Sequence, residues 1–477
     1  MKRALLGFVL GGVALMAAPS SAETPEELLR YTCSGCHQPD NAGRLSRISQ
    51  QRKTPEGWAM TIQRMEDLHG ITVSSQDLPL GSANAKRTLV KYLADTQGLA
   101  PEETTGFRYA LEQRLDDFEP VDADFKMMCG RCHSAARVLL QRRPVEEWRK
   151  LVHFHLGQYP STEYSAGGRN LDWLPIALNE TSPMLAKKYA YESAEWKRWQ
   201  KAKKPDLSGR WTISGHQLAK GDFTGMMSAT PDGPDKYAVE FEGAYHRTGE
   251  ELAGSGKVVV YTGYEWRATL TLGDVKWQQV FAAKSVDLGP KLGTVLLEGR
   301  MYERDHPEYG ISISALNGSD RVPPSTGRDA PPSALGSGKV DRIAVDPPYQ
   351  VARVGDGGGP IPKEYAAFDA VAWSNGTDGK PATADDVRLG ALPATWRVEP
   401  WHEQAREERD VEFAGVMDAT TGVFTPGDAG PNPARKYGTN NAGNLKVIAT
   451  VKDGDKTLTA EAHLIVTVQR WIHSPIP

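Results

Sequence analysis

The chain has 477 residues, of which 39% are hydrophobic and 24% are charged, and its formal net charge is −4 at pH 7. This length predicts about three domains rather than one compact core. The small net charge argues against a nucleic-acid or anionic-membrane partner. There are only four cysteines and all of them lie in two short motifs, which excludes a secreted scaffold held by disulfides.

Residues 1–22 have the pattern of a secretory signal peptide. Lys2 and Arg3 supply the charged start, Leu5 to Met16 form a short apolar run, and small residues end in a cleavage site after Ala22. The apolar run is shorter than the roughly 20 residues that a membrane span requires, and no later segment is apolar enough. We therefore predict that the chain is exported and has no membrane span.

The region 23–205 reads as a helical tandem repeat, and each copy contains one C-x-x-C-H motif. This motif is the attachment signature of c-type haem, in which both thiols bond to the porphyrin and the histidine ligates the iron. A redox-active C-x-x-C would need a βαβ context, and a Cys₄ zinc site would leave the matched histidines unexplained. We predict a dihaem cytochrome c domain that binds two haems covalently through Cys33, Cys36, His37, Cys129, Cys132 and His133.

Periodicity and start signals place several helices in this region. The last of them is rich in lysine and aromatic residues, and we interpret it as a solvated connector. The predicted helices are Pro25 to Tyr31, Pro55 to Leu68, Leu89 to Ala94, Leu111 to Phe118, Asp124 to Met128, one that begins at Pro144, and Met184 to Lys203.

The repeat also predicts the second axial ligand of each iron. When Trp58 is aligned with Trp148, Met65 falls opposite His155, and each lies seven residues after its tryptophan. Seven residues are two helical turns, so both side chains share a face with the tryptophan. Met65 is therefore the predicted sixth ligand of the first haem, and His155 that of the second.

Two neighbouring histidines are alternatives to these ligands. His69 lies one turn beyond Met65 on the same face, whereas His153 is about 140° round the helix from Trp148. A methionine ligand raises the reduction potential relative to two histidines. If Met65 is the ligand, the first haem has the higher potential and electrons run from the second haem to the first.

Beyond residue 205 the pattern changes to strands with glycine-containing turns. Residues 206–316 predict an antiparallel β-barrel, 317–338 a Gly/Pro/Ser-rich linker, and 339–477 an immunoglobulin-like β-sandwich. The last region includes predicted strands at Val340 to Val345, Phe368 to Trp373, Val411 to Val416, Leu445 to Val451 and Ala460 to Val468. The acidic residues Asp378, Asp385 and Asp386 are a weak calcium candidate, because their spacing matches no EF-hand loop.

The chain contains no G-x-S-x-G, H-E-x-x-H or P-loop motif, so we assign no catalytic residue. The later histidines are isolated in sequence and are interpreted as surface or hydrogen-bonded strand residues. Trp211, Trp266 and Trp277 are interpreted as barrel core. These patterns favour a protein that transfers electrons.

Several longer strings, together with the two haem motifs, resemble the α subunit of quinohemoprotein amine dehydrogenase. They are Y-T-G-Y-E-W-R (261–267), V-A-R-V-G (351–355), T-A-D-D (383–386), F-T-P-G-D-A-G-P-N-P (424–433), N-N-A-G-N-L-K-V (440–447) and V-T-V-Q-R-W (466–471).

The resemblance implies a periplasmic heterotrimer that oxidises primary amines to aldehydes and ammonia. It places a cysteine tryptophylquinone on a small γ subunit, adds a β-propeller β subunit, and makes this chain the relay to an external cytochrome or cupredoxin. Two other functions stay open, namely a free-standing dihaem cytochrome and a haem peroxidase. In the family a further immunoglobulin-like domain follows the barrel, but here only Asn317 to Gly338 occupies that position, too few for about 100 residues.

Overall fold

The computed structural model describes residues 24–73, 82–107, 121–131, 133–286, 294–318 and 328–469. The predicted signal peptide, the predicted helix Leu111 to Phe118 and Cys132 lie outside these residues. Within the described ranges, no helix combines the length and the apolar character that crossing a membrane requires.

The N-terminal region is helical, as its periodicity predicts, with one short two-stranded sheet. A π-helical turn at Ala177–Thr181 continues one of the short helices. The elements are α1 Pro25–Cys33, β1 Arg52–Lys53, α2 Pro55–His69, α3 Ser82–Thr96, α4 Pro101–Thr104, α5 Ala123–Cys129, α6 Ala136–Leu139, β2 Gln141–Arg142, α7 Val145–Gln158, α8 Ser161–Gly167, α9 Trp173–Ile176, α10 Ser182–Lys188 and α11 Ala194–Lys201.

The two repeats follow one plan and meet along the short sheet. Helices α1 and α5 each end at the first cysteine of a motif, and α2 and α7 follow β1 and β2. The strands pair antiparallel, with Arg52 opposite Arg142. Thr54 caps α2 by accepting a hydrogen bond from the Gly57 amide, which is the start signal expected before a proline at the first position.

A buried ion-pair network fixes the repeats to each other. The carboxylate of Glu103 accepts hydrogen bonds from Arg52 at 2.8 and 2.9 Å and from Arg142 at 3.1 Å. All three side chains are at most 5% exposed. Charges buried at this depth are tolerated because they are paired.

The predicted connector Met184 to Lys203 is wrong in two respects. It consists of two helices, α10 and α11, which are separated at residues 189–193, and Ser193 caps the second by accepting from the Trp196 amide. It is also not solvated on all sides, because Leu185 and Trp196 are buried. Aromatic residues that we interpreted as surface residues therefore hold the end of the haem region in place.

The middle region is a closed antiparallel barrel of eight strands. Each strand pairs with its sequence neighbours, and the last pairs with the first. Trp211, Trp266 and Trp277 lie in its core, which confirms their interpretation. The strands are β3 Gly209–Gln217, β4 Gly221–Pro231, β5 Lys236–Tyr245, β6 Glu251–Tyr261, β7 Glu265–Leu272, β8 Val275–Val286, β9 Thr294–Glu303 and β10 Gly310–Asn317.

The C-terminal region contains three small sheets, β11-β14-β15, β12-β20-β19-β16 and β13-β18-β17. Strands of all three sheets contribute to one apolar core, and the immunoglobulin-like assignment stays a prediction. The elements are β11 Arg342–Asp346, β12 Tyr349–Arg353, β13 Ala366–Ala367, β14 Asp369–Ser374, β15 Val387–Leu392, β16 Thr395–Pro400, α12 Glu403–Glu407, α13 Asp410–Phe413, β17 Gly415–Met417, β18 Val423–Pro426, β19 Gly443–Asp453 and β20 Lys456–Thr467.

The predicted strand Val411 to Val416 is wrong. Its first part is helix α13, and only residues from Gly415 onward are extended. Asp410 begins this helix and is held by Arg435, whose Nη1 lies 2.7 Å from its carboxylate. The conformation therefore depends on a residue distant in sequence.

The turn between β6 and β7 docks the barrel against the haem region. Tyr261 belongs to the same apolar cluster as the helices of the first repeat. The Thr262 amide donates to Asp95 at 2.7 Å, and the Trp199 indole donates to the Thr262 carbonyl at 2.8 Å. Arg267 reaches the carboxylate of Glu56, at the start of α2.

Candidate functional site

The first motif is held at the end of α1 in a compact turn. Cys33 is the last residue of the helix, and the His37 amide donates to its carbonyl at 2.9 Å. The Nδ1 atom of His37 lies 2.9 Å from the Ser46 carbonyl oxygen, so this nitrogen carries the proton and donates. A histidine held in this way presents Nε2 as a metal ligand.

A cavity of about 350 Å³ adjoins this motif. Cys33, Cys36 and His37 line it, and both Met65 and His69 of α2 do so as well. Met65 is half-buried, whereas His69 is exposed. The structure thus brings the predicted ligand and its alternative to the same cavity, with Met65 in the more enclosed position.

The second motif repeats this arrangement. Cys129 ends α5, and Nδ1 of His133 donates to the Ser134 carbonyl at 2.8 Å. The ring of His155 lies close to that of His133, with centres 6.5 Å apart and an interplanar angle of 78°. Two imidazoles that bind one metal ion from opposite sides, each nitrogen about 2 Å from it, have centres roughly 6 Å apart. At this spacing both rings would be able to bind one metal ion.

The space beside the second motif is smaller, about 120 Å³. Cys129, His133 and His155 line it, while His153 is exposed on the other side of α7. Ligand sites commonly enclose about 300–1,000 Å³, so this space is below the usual range.

Buried polar atoms test whether the cavities suit a porphyrin with two carboxylates. Among the described residues, Oγ1 of Thr32 and Nε of Arg64 beside the first cavity have no hydrogen-bond partner. The same holds for Nε1 of Trp148 and Nε of Arg169 beside the second. Donors left without acceptors in a buried site are costly, and haem carboxylates would satisfy them.

Burial shifts the pKa values of the motif side chains. It raises the pKa of Cys33 to about 11 and that of Cys129 to about 12, so both are neutral thiols when no group is bound. Burial also lowers the pKa of His133 to about 4, which keeps the ring neutral and able to ligate. Cys33, Cys36 and Cys129 form no disulfide, so these thiols are available for attachment.

Helix α7 separates the two cavities. Leu151 lines both of them, and Phe154 lines the first although it belongs to the second repeat. Three arginines also line the first cavity, namely Arg47, Arg64 and Arg143. The sequence patterns did not identify these arginines as site residues. The only available signal was that each lies in a repeat that contains a C-x-x-C-H motif.

Two other clusters of ionisable side chains are already internally bonded. His216, Asp222 and Asp329 lie close enough to share a metal ion, but Asp222 is bonded to His216 and Asp329 to Arg247. In the acidic segment considered for calcium, Asp385 accepts from Thr377 and Thr383, and Asp386 accepts from Arg342 at 2.5 Å. These contacts account for the close approach of the ionisable side chains in both clusters.

Comparison with known proteins identifies the class first. Residues 23–196 match the model of quinohemoprotein amine dehydrogenase A, alpha subunit, haem binding, so this region is a haem-binding module. Residues 204–317 match alpha subunit domain II, and residues 343–476 match alpha subunit domain IV of the same enzyme. The chain therefore belongs to the family of quinohemoprotein amine dehydrogenase alpha subunits.

Other comparisons add little. No curated protein matches the chain. Among solved structures, the redesigned beta barrel mFAP1 bound to DFHBI is 20% identical with a TM-score of 0.18 over 23% of this chain and 92% of its own. The redesigned barrel b11L5F_LGL is 19% identical with a TM-score of 0.19 over 24% and 92%.

The spacing of the family matches bears on the predicted missing domain. Domain II ends at residue 317 and domain IV begins at residue 343. Residues 318–342 are too few for a sandwich of about 100 residues. Part of this segment is packed onto the barrel, because Asp329 accepts from the Asp222 amide at 2.9 Å.

Proposed function

We propose that the chain is the electron-relay subunit of a periplasmic amine dehydrogenase. In this proposal a cysteine tryptophylquinone on a small γ subunit oxidises a primary amine to an aldehyde and ammonia, and a β-propeller β subunit completes the complex. Cys33, Cys36, Cys129 and Cys132 would hold two c haems, which would supply one-electron carriers between the quinone and an external cytochrome or cupredoxin. Family membership and the two repeated motif geometries support this role.

The observation that carries the proposal is the proximity of two histidines beside the second motif. The ring centres of His133 and His155 are 6.5 Å apart, and the Nδ1 atom of His133 is already used by a backbone carbonyl. His155 is packed in turn against Trp173 at 5.9 Å and Tyr159 at 5.3 Å. A site that supplies two protein ligands to one iron favours electron transfer over peroxidase chemistry, which needs an open position.

The first site supports the same role through different residues. His37 would ligate from the motif, and Met65 would ligate from α2, with His69 as the alternative. Cys33 and Cys36 would hold this haem, and Cys129 and Cys132 the other. The shared wall at Leu151 keeps the two sites adjacent.

The test uses the complex isolated gently from the periplasm. A simple primary amine is added without oxygen, and the absorption band of reduced haem c is followed. We expect reduction by the amine with the complex and none with this chain alone. Reduction by dithionite only, with every co-purifying subunit present, would contradict the proposal and favour a free-standing cytochrome.

A further inference from the structure

The three arginines beside the first cavity come from both repeats. Arg47 and Arg64 belong to the first repeat, and Arg64 directly precedes Met65. Arg143 belongs to the second and follows strand β2. Strand β2 pairs with β1, with Arg142 opposite Arg52. This pairing places Arg143 beside the cavity of the other repeat. We call Arg47, Arg64 and Arg143 the arginine cluster.

Two members of the cluster form no ion pair among the described residues, although Arg143 is buried and Arg64 is half-buried with a buried Nε atom. Arg143 is 3% exposed, and its Nε and Nη2 atoms donate to the neutral amide oxygen of Gln141 at 3.2 and 3.0 Å. The guanidinium of Arg64 lies over the Phe154 ring at 5.1 Å, and its Nε has no partner among the described residues. Burying a cation without an anion is costly, so this arrangement points to a missing acceptor.

The charges around the arginine cluster also indicate a missing anion. Burial lowers the pKa of Arg143 to about 9, and the positive charge of Arg64 adds to this effect. The acidic side chain that faces the cluster is Glu147, and its carboxylate is already shared between Arg47 at 3.3 Å and Lys150 at 2.6 Å. The first cavity therefore has an excess of positive charge that an anionic ligand would balance.

We propose that Arg64 and Arg143 bind the propionate carboxylates of the haem attached at Cys33 and Cys36. The guanidinium group presents two parallel donors that match a carboxylate, and it stays charged where a lysine would lose its proton. The second repeat thus completes the first haem site, with Arg143 at the carboxylates and Leu151 and Phe154 on the apolar wall. This inference rests on the proposed haem attachment.

The proposal has a consequence for the reduction potential. Reduction adds one negative charge at the iron, and nearby fixed positive charges stabilise that state. Arg64 and Arg143 therefore raise the potential of the first haem. This acts in the same direction as a methionine ligand, so both features make the first haem the later carrier in the relay.

The test is a potentiometric titration of the isolated full chain, followed by haem absorption, for Arg143→Gln and Arg64→Gln. Each variant should lower the same single midpoint, with about a tenfold change in the reduction equilibrium, which is about 59 mV for one electron. The other midpoint should stay in place.

Arg149→Gln is the matched control. Arg149 lies on α7 and pairs with Glu146 at 2.6 Å, and it lines neither cavity. The variant Arg149→Gln should leave both midpoint potentials unchanged. If Arg143→Gln fails to fold, the midpoint potentials of Arg64→Gln test the assignment. Unchanged midpoints in correctly folded variants, or shifts of different midpoints by Arg64 and Arg143, would overturn the assignment.

This experiment separates the inference from the proposed function. It needs neither amine nor partner subunits, so a chain that fails the amine test can still show the shift. Conversely, a chain that accepts electrons from amine and shows no shift would retain its relay role and lose the propionate assignment.

Discussion

The Nε2 atom of His216, on barrel strand β3, lies 2.7 Å from Oδ2 of Asp369, on strand β14 of the C-terminal region. Its Nδ1 atom lies 2.7 Å from Asp222. The ring is 4% exposed. Burial alone lowers the pKa of His216, but the hydrogen bonds to Asp222 and Asp369 outweigh it and raise the pKa to about 9. The protonated ring thus joins the barrel to the C-terminal region.

We predict that this contact makes stability depend on pH. Because the pKa of His216 is raised in the folded state, its contribution is complete below about pH 6.5 and is lost as pH rises through about 9. The loss amounts to about 3 kcal/mol at most. Urea unfolding between pH 6 and 10 should show the decline.

His216→Gln should flatten that profile. His246→Gln is the control, since His246 is exposed and bonds to Thr224. If the stability of His216→Gln still declines over this pH range, another ionisable group causes the decline.

Replacing Met65 should open one iron to external ligands. In Met65→Ala, the reduced chain should bind carbon monoxide at one of its two haems, because the sixth position there loses its protein ligand. His69→Ala should not bind it. Absorption spectra under carbon monoxide measure this binding. Binding by His69→Ala and not by Met65→Ala would make His69 the ligand.

Replacing His155 should open the other iron. His155→Ala removes the ring that lies 6.5 Å from that of His133, whereas His153→Ala changes an exposed side chain. We expect carbon monoxide binding in the first variant and a spectrum like that of the parent in the second. Binding in neither variant would remove His155 from the ligand set.

Replacing Arg267 should destabilise the docked barrel. Its guanidinium contacts the buried carboxylates of Glu56 and Glu265, the latter at 3.4 Å. Arg267→Met leaves the buried Glu56 carboxylate without its cation, which costs about 3–5 kcal/mol. Chemical unfolding measures this loss, and the exposed barrel residue Arg210 provides the control Arg210→Met. A loss below about 1 kcal/mol would contradict a structural role for the pair.

Local signals predicted many of the elements. The threonine and proline at the start of α2 placed it correctly, because capping involves neighbours three residues apart. The alternation of barrel strands and the buried Trp266 followed from the two-residue period. The strand predicted over Val411 to Val416 was wrong because Arg435, a distant residue, stabilises the helical turn at Asp410.

The candidate site was accessible to sequence reasoning only where a repeat existed. Aligning the tryptophans pointed to Met65 and His155, each of which lines a cavity beside a motif. Arg143 could not be placed in the first cavity, because strand pairing between repeats brings it there. His216 was isolated in sequence, and its partner Asp369 is supplied by another region of the fold.

The turn between β6 and β7 has a consequence for dissecting the molecule. Tyr261 and Thr262 complete the packing and hydrogen bonding of the first repeat. A gene fragment that stops at residue 205 would lose both, and Asp95 and Glu56 would face solvent without their barrel partners. We therefore expect the haem-binding region to need the barrel in the same polypeptide in order to fold stably.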